Sequence, residues 1–188
     1  TKIFVGIAGV GIVLAIAGAR ILGTMMETSG SFRLRRILVW LNPEKYASEG
    51  GYQIMQAFYA IGAGGFFGKG LGNSAQKMNI PEVQNDMILS IICEELGVFG
   101  AIMVLILFGI LLYRLLFIAQ NAPDLYGSLI VTGIFAHIAL QVILNVMVVI
   151  NCIPTTGITL PFISYGGTSV MFLLFEMGLV LNVSSLVK

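Results

Sequence analysis

Charge is scarce in this sequence. Asp, Glu, Lys and Arg together make up 10% of its 188 residues, where water-soluble domains usually carry about a quarter, and that excludes an ordinary soluble core inside a charged shell. An excess of either sign is missing as well. Ten basic residues against nine acidic ones leave a formal charge of +1, so no global field draws the chain to nucleic acid or to an anionic membrane surface. Cysteine is nearly absent: Cys93 and Cys152 stand 59 positions apart, a spacing that fits neither a metal site nor a redox pair, and both read as small core residues. His137 is the single histidine, and no metal ligand set is legible. What the chain holds in quantity is apolar side chains, 57% of the total, and 23 glycines. That is the make-up of a membrane protein.

A transmembrane helix needs about 20 mostly apolar residues to cross roughly 30 Å of hydrocarbon. Uncharged runs of that order predict an all-α, polytopic membrane bundle with four spans, at about 3–22, 96–119, 127–150 and 168–187. The last two come from one stretch, Leu125 to Phe175, which has no charged side chain over 51 residues and is divided by Pro154 and Pro161. The first run also carries marks of a secretory signal, with Lys2 ahead of it and Ala17-Gly18-Ala19 at its end. Three further spans favour instead a chain that begins inside a larger membrane protein.

Four spans leave two loops on one side, about 23–95 and 151–167. The first carries Arg33, Arg35, Arg36, Lys45, Lys69 and Lys77, against Lys2, Arg114 and Lys188 opposite. A positive-inside count places the long loop in the cytoplasm, but that rule is calibrated on loops shorter than about 60 residues.

Within the long loop, Phe32 to Leu41 mixes Arg33, Arg35 and Arg36 with aliphatic residues and Trp40, the only tryptophan, and ends at Asn42-Pro43. It reads either as a solvated basic face in the headgroup layer or as a pocket for a phosphate-bearing lipid. Gly50 to Gly68 is apolar but punctuated by six glycines, which predicts a short helix that dips and returns, with Ala63 to Gly72 as a candidate cavity wall. Lys69 in Gly68-Lys69-Gly70 is not followed by Ser or Thr, and no strand precedes it, so a nucleotide loop is excluded. Asn79-Ile80-Pro81-Glu82 has the marks of a helix start. The helix it opens is expected to carry Asp86, Glu94 and Glu95 and to bend near Gly97 or Gly100, since an unbroken run to Ala119 is far too long for the hydrocarbon. Flanked by Met87, Ile88 and Leu89, Asp86 meets a mixed apolar and aqueous surface; it is either a general base or a solvated acid.

The second loop, NCIPTTGITLPFISYGGTS, has no charge and six Ser or Thr hydroxyls. It is a tight interhelical turn or the lining of a polar cavity, in which Ser164, Tyr165, Thr168 and Ser169 could bond a sugar or peptide and Gly166-Gly167 would allow close backbone approach. Inside the spans, His137 is expected in a hydrogen-bond stripe with Gln141 and Asn145. Glu176 is expected either to pair with a basic residue outside this chain or to belong to a proton path.

In order along the chain, Gly51-Tyr52-Gln53, Gly68-x-Gly70-x-Gly72, Gln76-Lys77, Pro81-Glu82, Asp86, Glu94-Glu95-x-Gly97 and the block from Pro154-Thr155-Thr156-Gly157 to Ser164-Tyr165-Gly166-Gly167 resemble the FtsW/RodA/SpoVE family, the SEDS group. The chain is similar to the C-terminal four spans of a ten-span protein, nearer the division and sporulation branch than the elongation branch. The resemblance implies a peptidoglycan glycosyltransferase of the bacterial cytoplasmic membrane that polymerises lipid II, with the long loop extracellular and Asp86 as the essential acid. It also implies a class B penicillin-binding protein and other divisome or elongation proteins as partners, and no nucleic acid. The chain departs from the family's DFIF with Asp86-Met87-Ile88-Leu89.

Under that reading Asp86 takes the proton of the attacking sugar hydroxyl. Lys69, Lys77 and the Arg33 to Arg36 cluster are candidates for the charge of the leaving pyrophosphate, and no cofactor is demanded, though Mg or Mn could serve there. Inversion at the anomeric centre needs one base, which leaves Glu94 and Glu95 to hold the loop to its span. Two other readings compete: a lipid II flippase, and a scaffold that activates a penicillin-binding protein.

Overall fold

The structure is a computed structural model that describes residues 32–75 and 85–187, so the expected span at 3–22, Lys77 and the helix-start signal at 79–82 lie outside the described residues. Among the described residues all regular structure is helical, and the chain divides into two compact units, Thr1–Met55 with Ile153–Thr155, and Gln56–Cys152 with Thr156–Lys188.

In the first unit, helix α1 (Phe32–Leu41) comes from the basic segment. It stops because Pro43 cannot continue it, and the Asn42 N–H closes the last turn onto the Leu38 carbonyl at 3.0 Å. A 3-10 turn at Ala47–Glu49 then leads through Gly50, at φ 112°, into α2 (Gly51–Gly64). Space dictates Gly51, since a Cβ there would run into the Pro43 carbonyl. Arg36 Nη1 donates to the Thr155 carbonyl at 3.3 Å, so one of the basic candidates is bound to backbone of the second loop.

The second unit contains α3 (Ile88–Asn121), α4 (Leu125–Val149) and α5 (Gly167–Leu186), each long and apolar enough to cross a membrane. On α4 the buried residues Val131, Ile134, Ile138, Val142 and Asn145 recur every three or four positions, the stripe by which a helix packs on its neighbours. The opposite faces are apolar and exposed, as at Leu107, Leu129 and Leu181, which is the surface that lipid or further membrane helices cover.

α3 is broken at Gly97, whose φ of 73° and ψ of −176° are not helical. The turn after α2 fills the break. In a continuous helix the N–H groups of Val98 and Phe99 would bond the carbonyls of Glu94 and Glu95. Here they donate to Gly65 and Phe66 at 3.0 and 3.2 Å, while the Glu94 and Glu95 carbonyls accept from Lys69 and Gly70 at 2.9 Å each. Two helical bonds are exchanged for four bonds to the turn, which pair the Val98 and Phe99 N–H groups and the Glu94 and Glu95 carbonyls that the break frees. The approach is possible only without side chains, because a Cβ on Gly64, Gly68 or Gly97 would strike backbone of the other partner.

The structure revises several sequence expectations. Asp86 is not on the helix that carries Glu94 and Glu95: α3 begins at Ile88, and Asp86 lies in the bend before it. The reason is that the Asp86 carbonyl is taken by a side chain, while the Ser90 N–H turns back to Met87 at 3.1 Å. Cys152 is exposed just past α4, so only Cys93 is a core residue. The segment 63–72 packs on the α3 break and lends no residue to the cleft described below.

Candidate active-site cleft

Asp86 is held from behind by Asn145. The amide nitrogen Nδ2 of Asn145 lies 2.8 Å from the Asp86 carbonyl and 2.8 Å from the Ile158 carbonyl, which belongs to the second loop. The sequence shows Asn145 only as a member of a polar stripe; its link to Asp86 spans 59 positions and has no local signal.

Beside this clamp is a cleft of about 540 Å³ lined by Ile88, Ile163, Ser164, Tyr165, Gly166, Gly167 and Val170. One wall is the first turn of α3, two residues after Asp86, and the other is the end of the second loop. The loop is shaped by its own hydrogen bonds. Ser164 Oγ accepts the Leu160 N–H at 2.8 Å, and the Ser164 N–H returns to the Leu160 carbonyl at 3.1 Å. Ser164 is therefore buried and occupied in the turn, while Tyr165 is exposed and presents its phenol at the surface. Gly167 opens α5 and lines the cleft; Thr168 is exposed on the first turn and does not line it.

Away from the cleft, Glu94 is fully buried. Its carboxylate accepts from Lys69 Nζ at 2.8 Å, from the Ser74 hydroxyl and from the Ala75 N–H at 3.2 Å. Lys69 is thus paired with Glu94, and Glu94 fastens residues 69–75 to α3. Glu95 contributes its carbonyl to Gly70. Removing one member of a buried pair costs about 3–5 kcal/mol, and solvent at Lys69, 38% exposed, moves the cost toward the lower figure. Glu94→Ala is expected to speed amide hydrogen exchange across 69–75 while leaving the 98–121 arm of α3 protected.

His137 on α4 and Glu176 on α5 meet each other, with Nδ1 at 3.0 and 3.1 Å from the two carboxylate oxygens. Glu176 therefore has its partner within the chain, and His137 bonds a carboxylate rather than the Gln141 and Asn145 stripe. Buried oxygens of Gln56, Gln141 and Asn145 find no partner among the described residues. No group of three or more His, Cys, Asp or Glu side chains among the described residues is placed to hold a metal ion.

The family model FTSW_RODA_SPOVE, described as "Cell cycle protein", matches residues 1–188. The chain belongs to the FtsW/RodA/SpoVE family. Among FtsW/RodA/SpoVE relatives it is 46% identical to Stage V sporulation protein E of Bacillus subtilis, over 92% of this chain and 51% of that protein. It is 45% identical to the probable peptidoglycan glycosyltransferase FtsW of Trichlorobacter lovleyi, over 84% of this chain and 42% of that one. A solved structure of a peptidoglycan synthase complex that coordinates polymerization and crosslinking superposes with a TM-score of 0.67 at 27% identity, over 98% of this chain and 48% of the other. The rod shape determining protein RodA of Thermus thermophilus, solved as a mutant, gives 0.54 at 36% identity, over 69% and 39%. The chain spans about half the length, or less, of these FtsW/RodA/SpoVE proteins.

Proposed function

We propose that the full-length protein is a peptidoglycan glycosyltransferase that polymerises lipid II, with Asp86 as general base. The observation that carries this reading is the placement of Asp86. It stands at the amino end of a membrane-spanning helix, outside the helical hydrogen-bond ladder, and two residues from a cleft walled by the Ile163–Gly167 loop. A carboxylate there is suited to take the proton of a sugar hydroxyl as the glycosidic bond forms. The apolar walls of the cleft suit a substrate whose sugars are tethered to lipid, and Tyr165 with the Gly166-Gly167 backbone supplies polar contacts to the sugar. Charge on the departing pyrophosphate would be met by a divalent counter-cation, magnesium or manganese, brought with the substrate. The relatives named as FtsW glycosyltransferases and the synthase-complex neighbour support both the activity and a class B penicillin-binding protein as partner.

Purified full-length protein given labelled lipid II is expected to build glycan strands. Lipid moved between leaflets with no polymer formed would point to a transporter instead, and the intramembrane His137–Glu176 pair is the feature that favours that second reading.

The loop joining α2 to α3 belongs on the extracellular face in this reading. In a Cys152→Ser background, Leu71→Cys in intact cells is expected to react with a membrane-impermeant maleimide. Labelling only after the cells are opened would place the loop, and with it Asp86, on the wrong side for polymerisation.

A further inference from the structure

Asn145 sits among Val, Ile, Leu and Met residues on α4 and is fully buried. A side-chain amide in such surroundings is costly unless its hydrogens find acceptors. Both do, at 2.8 Å, and their choice is informative: one acceptor is the carbonyl of Asp86, the other that of Ile158. The first segment continues into Ile88 and the second into Ile163–Gly167, which are the two walls of the cleft. α4 itself contributes no residue to that lining. Asn145 therefore touches neither the space nor its occupant, yet it is bonded to the backbone behind each wall. Its Oδ1 is buried without a partner among the described residues, so the two donated bonds alone decide the orientation of the amide. A reversed amide would set an oxygen against two carbonyls.

We propose that Asn145 is a positioning residue that fixes the separation of the cleft walls and holds Asp86 off the helical path, where the acid can serve the transfer. This rests on the proposed role of Asp86. Two donors on one planar group are what the task requires, since a hydroxyl offers one hydrogen and an ionised carboxylate none.

The test uses full-length protein in its native membrane complex with labelled lipid II. Asn145→Asp keeps the shape and removes both donors when ionised, or one of the two when burial keeps the acid protonated. It is expected to lower kcat on the order of 10²-fold with KM within about twofold, and to speed hydrogen exchange in 85–90 and 156–162 but not along the 98–121 arm of α3. Asn145→Ser, with one donor left, is expected to fall between this variant and the parent, and becomes the variant to read if Asn145→Asp does not assemble. A kcat within about threefold of wild type overturns the proposal, as does a rise in KM with kcat preserved. Failure of both variants to assemble also overturns it, because Asn145 would then hold the fold rather than the site. Asp86→Asn is measured alongside. If it polymerises, the role of Asp86 is wrong whatever Asn145 does; if it is inactive while Asn145→Asp turns over normally, only the positioning role fails.

Discussion

Asp86→Asn in the full-length protein is expected to abolish synthesis of glycan strands while expression, membrane insertion and partner binding stay at wild-type levels. The amide has nearly the shape of the carboxylate, and the bond to Asn145 is made by the Asp86 backbone carbonyl, which the substitution leaves in place. What changes is the ability to accept a proton. Loss of a general base typically lowers a rate by about 10²–10⁴-fold, enough to remove polymer from a gel read at fixed time. The measurement is strand length and yield from labelled lipid II by the purified variant beside its parent. Strands of ordinary length would move the catalytic role to another residue or the protein to another class.

A second large effect is expected at the broken helix. Gly97→Ala forces a side chain onto backbone at φ 73° and ψ −176°, a region essentially reserved for glycine, at a cost of about 1–3 kcal/mol. The added Cβ would also collide with the Phe66 carbonyl and the Gly68 nitrogen. Neither is the end of a flexible side chain, so relief requires the turn and the helix to separate, which breaks four backbone hydrogen bonds at once. The expected outcome is poor recovery of folded protein and a marked fall in its melting temperature in detergent. Gly62→Ala is the matching control: a Cβ there meets nothing within 4 Å inside α2, and a helical alanine should be neutral or slightly stabilising. If the two variants melt alike, the interlock does not hold the fold.

The membrane-helical architecture is legible in the sequence because burial in lipid leaves its mark on every side of a helix. The uncharged runs from Leu96 and Leu125 onward coincide with α3, α4 and α5, and the two prolines of the second loop fall between the last two. Glycines marked the short helix α2 and its return turn, because they punctuate an apolar run at its two ends. The start of α3 was not legible. Where it begins depends on a carbonyl captured from 59 positions away, and the period of the chain holds no trace of that bond. The same limit hid the His137–Glu176 pair: each was visible as a polar residue within a span, but their meeting depends on how α4 lies against α5. Of the candidate site, Ser164, Tyr165, Gly166 and Gly167 do line one cleft, and Asp86 stands beside it. Lys69 instead neutralises Glu94, a use that spacing alone could not separate from phosphate binding.

Because the turn at 64–70 grips α3 chiefly through main-chain atoms, with the side chains of Lys69 and Phe66 also reaching the helix, other side chains in and beside it are left unemployed by the joint. Phe67 and Leu71 protrude with 81% and 76% of their surface open, and nothing in the grip depends on what they are. Bulk, charge or shape could be exchanged at these two places without loosening the anchor. They are a natural spot to attach a fluorophore or an affinity handle, and equally a spot where related proteins could diversify what they touch while leaving the scaffold untouched.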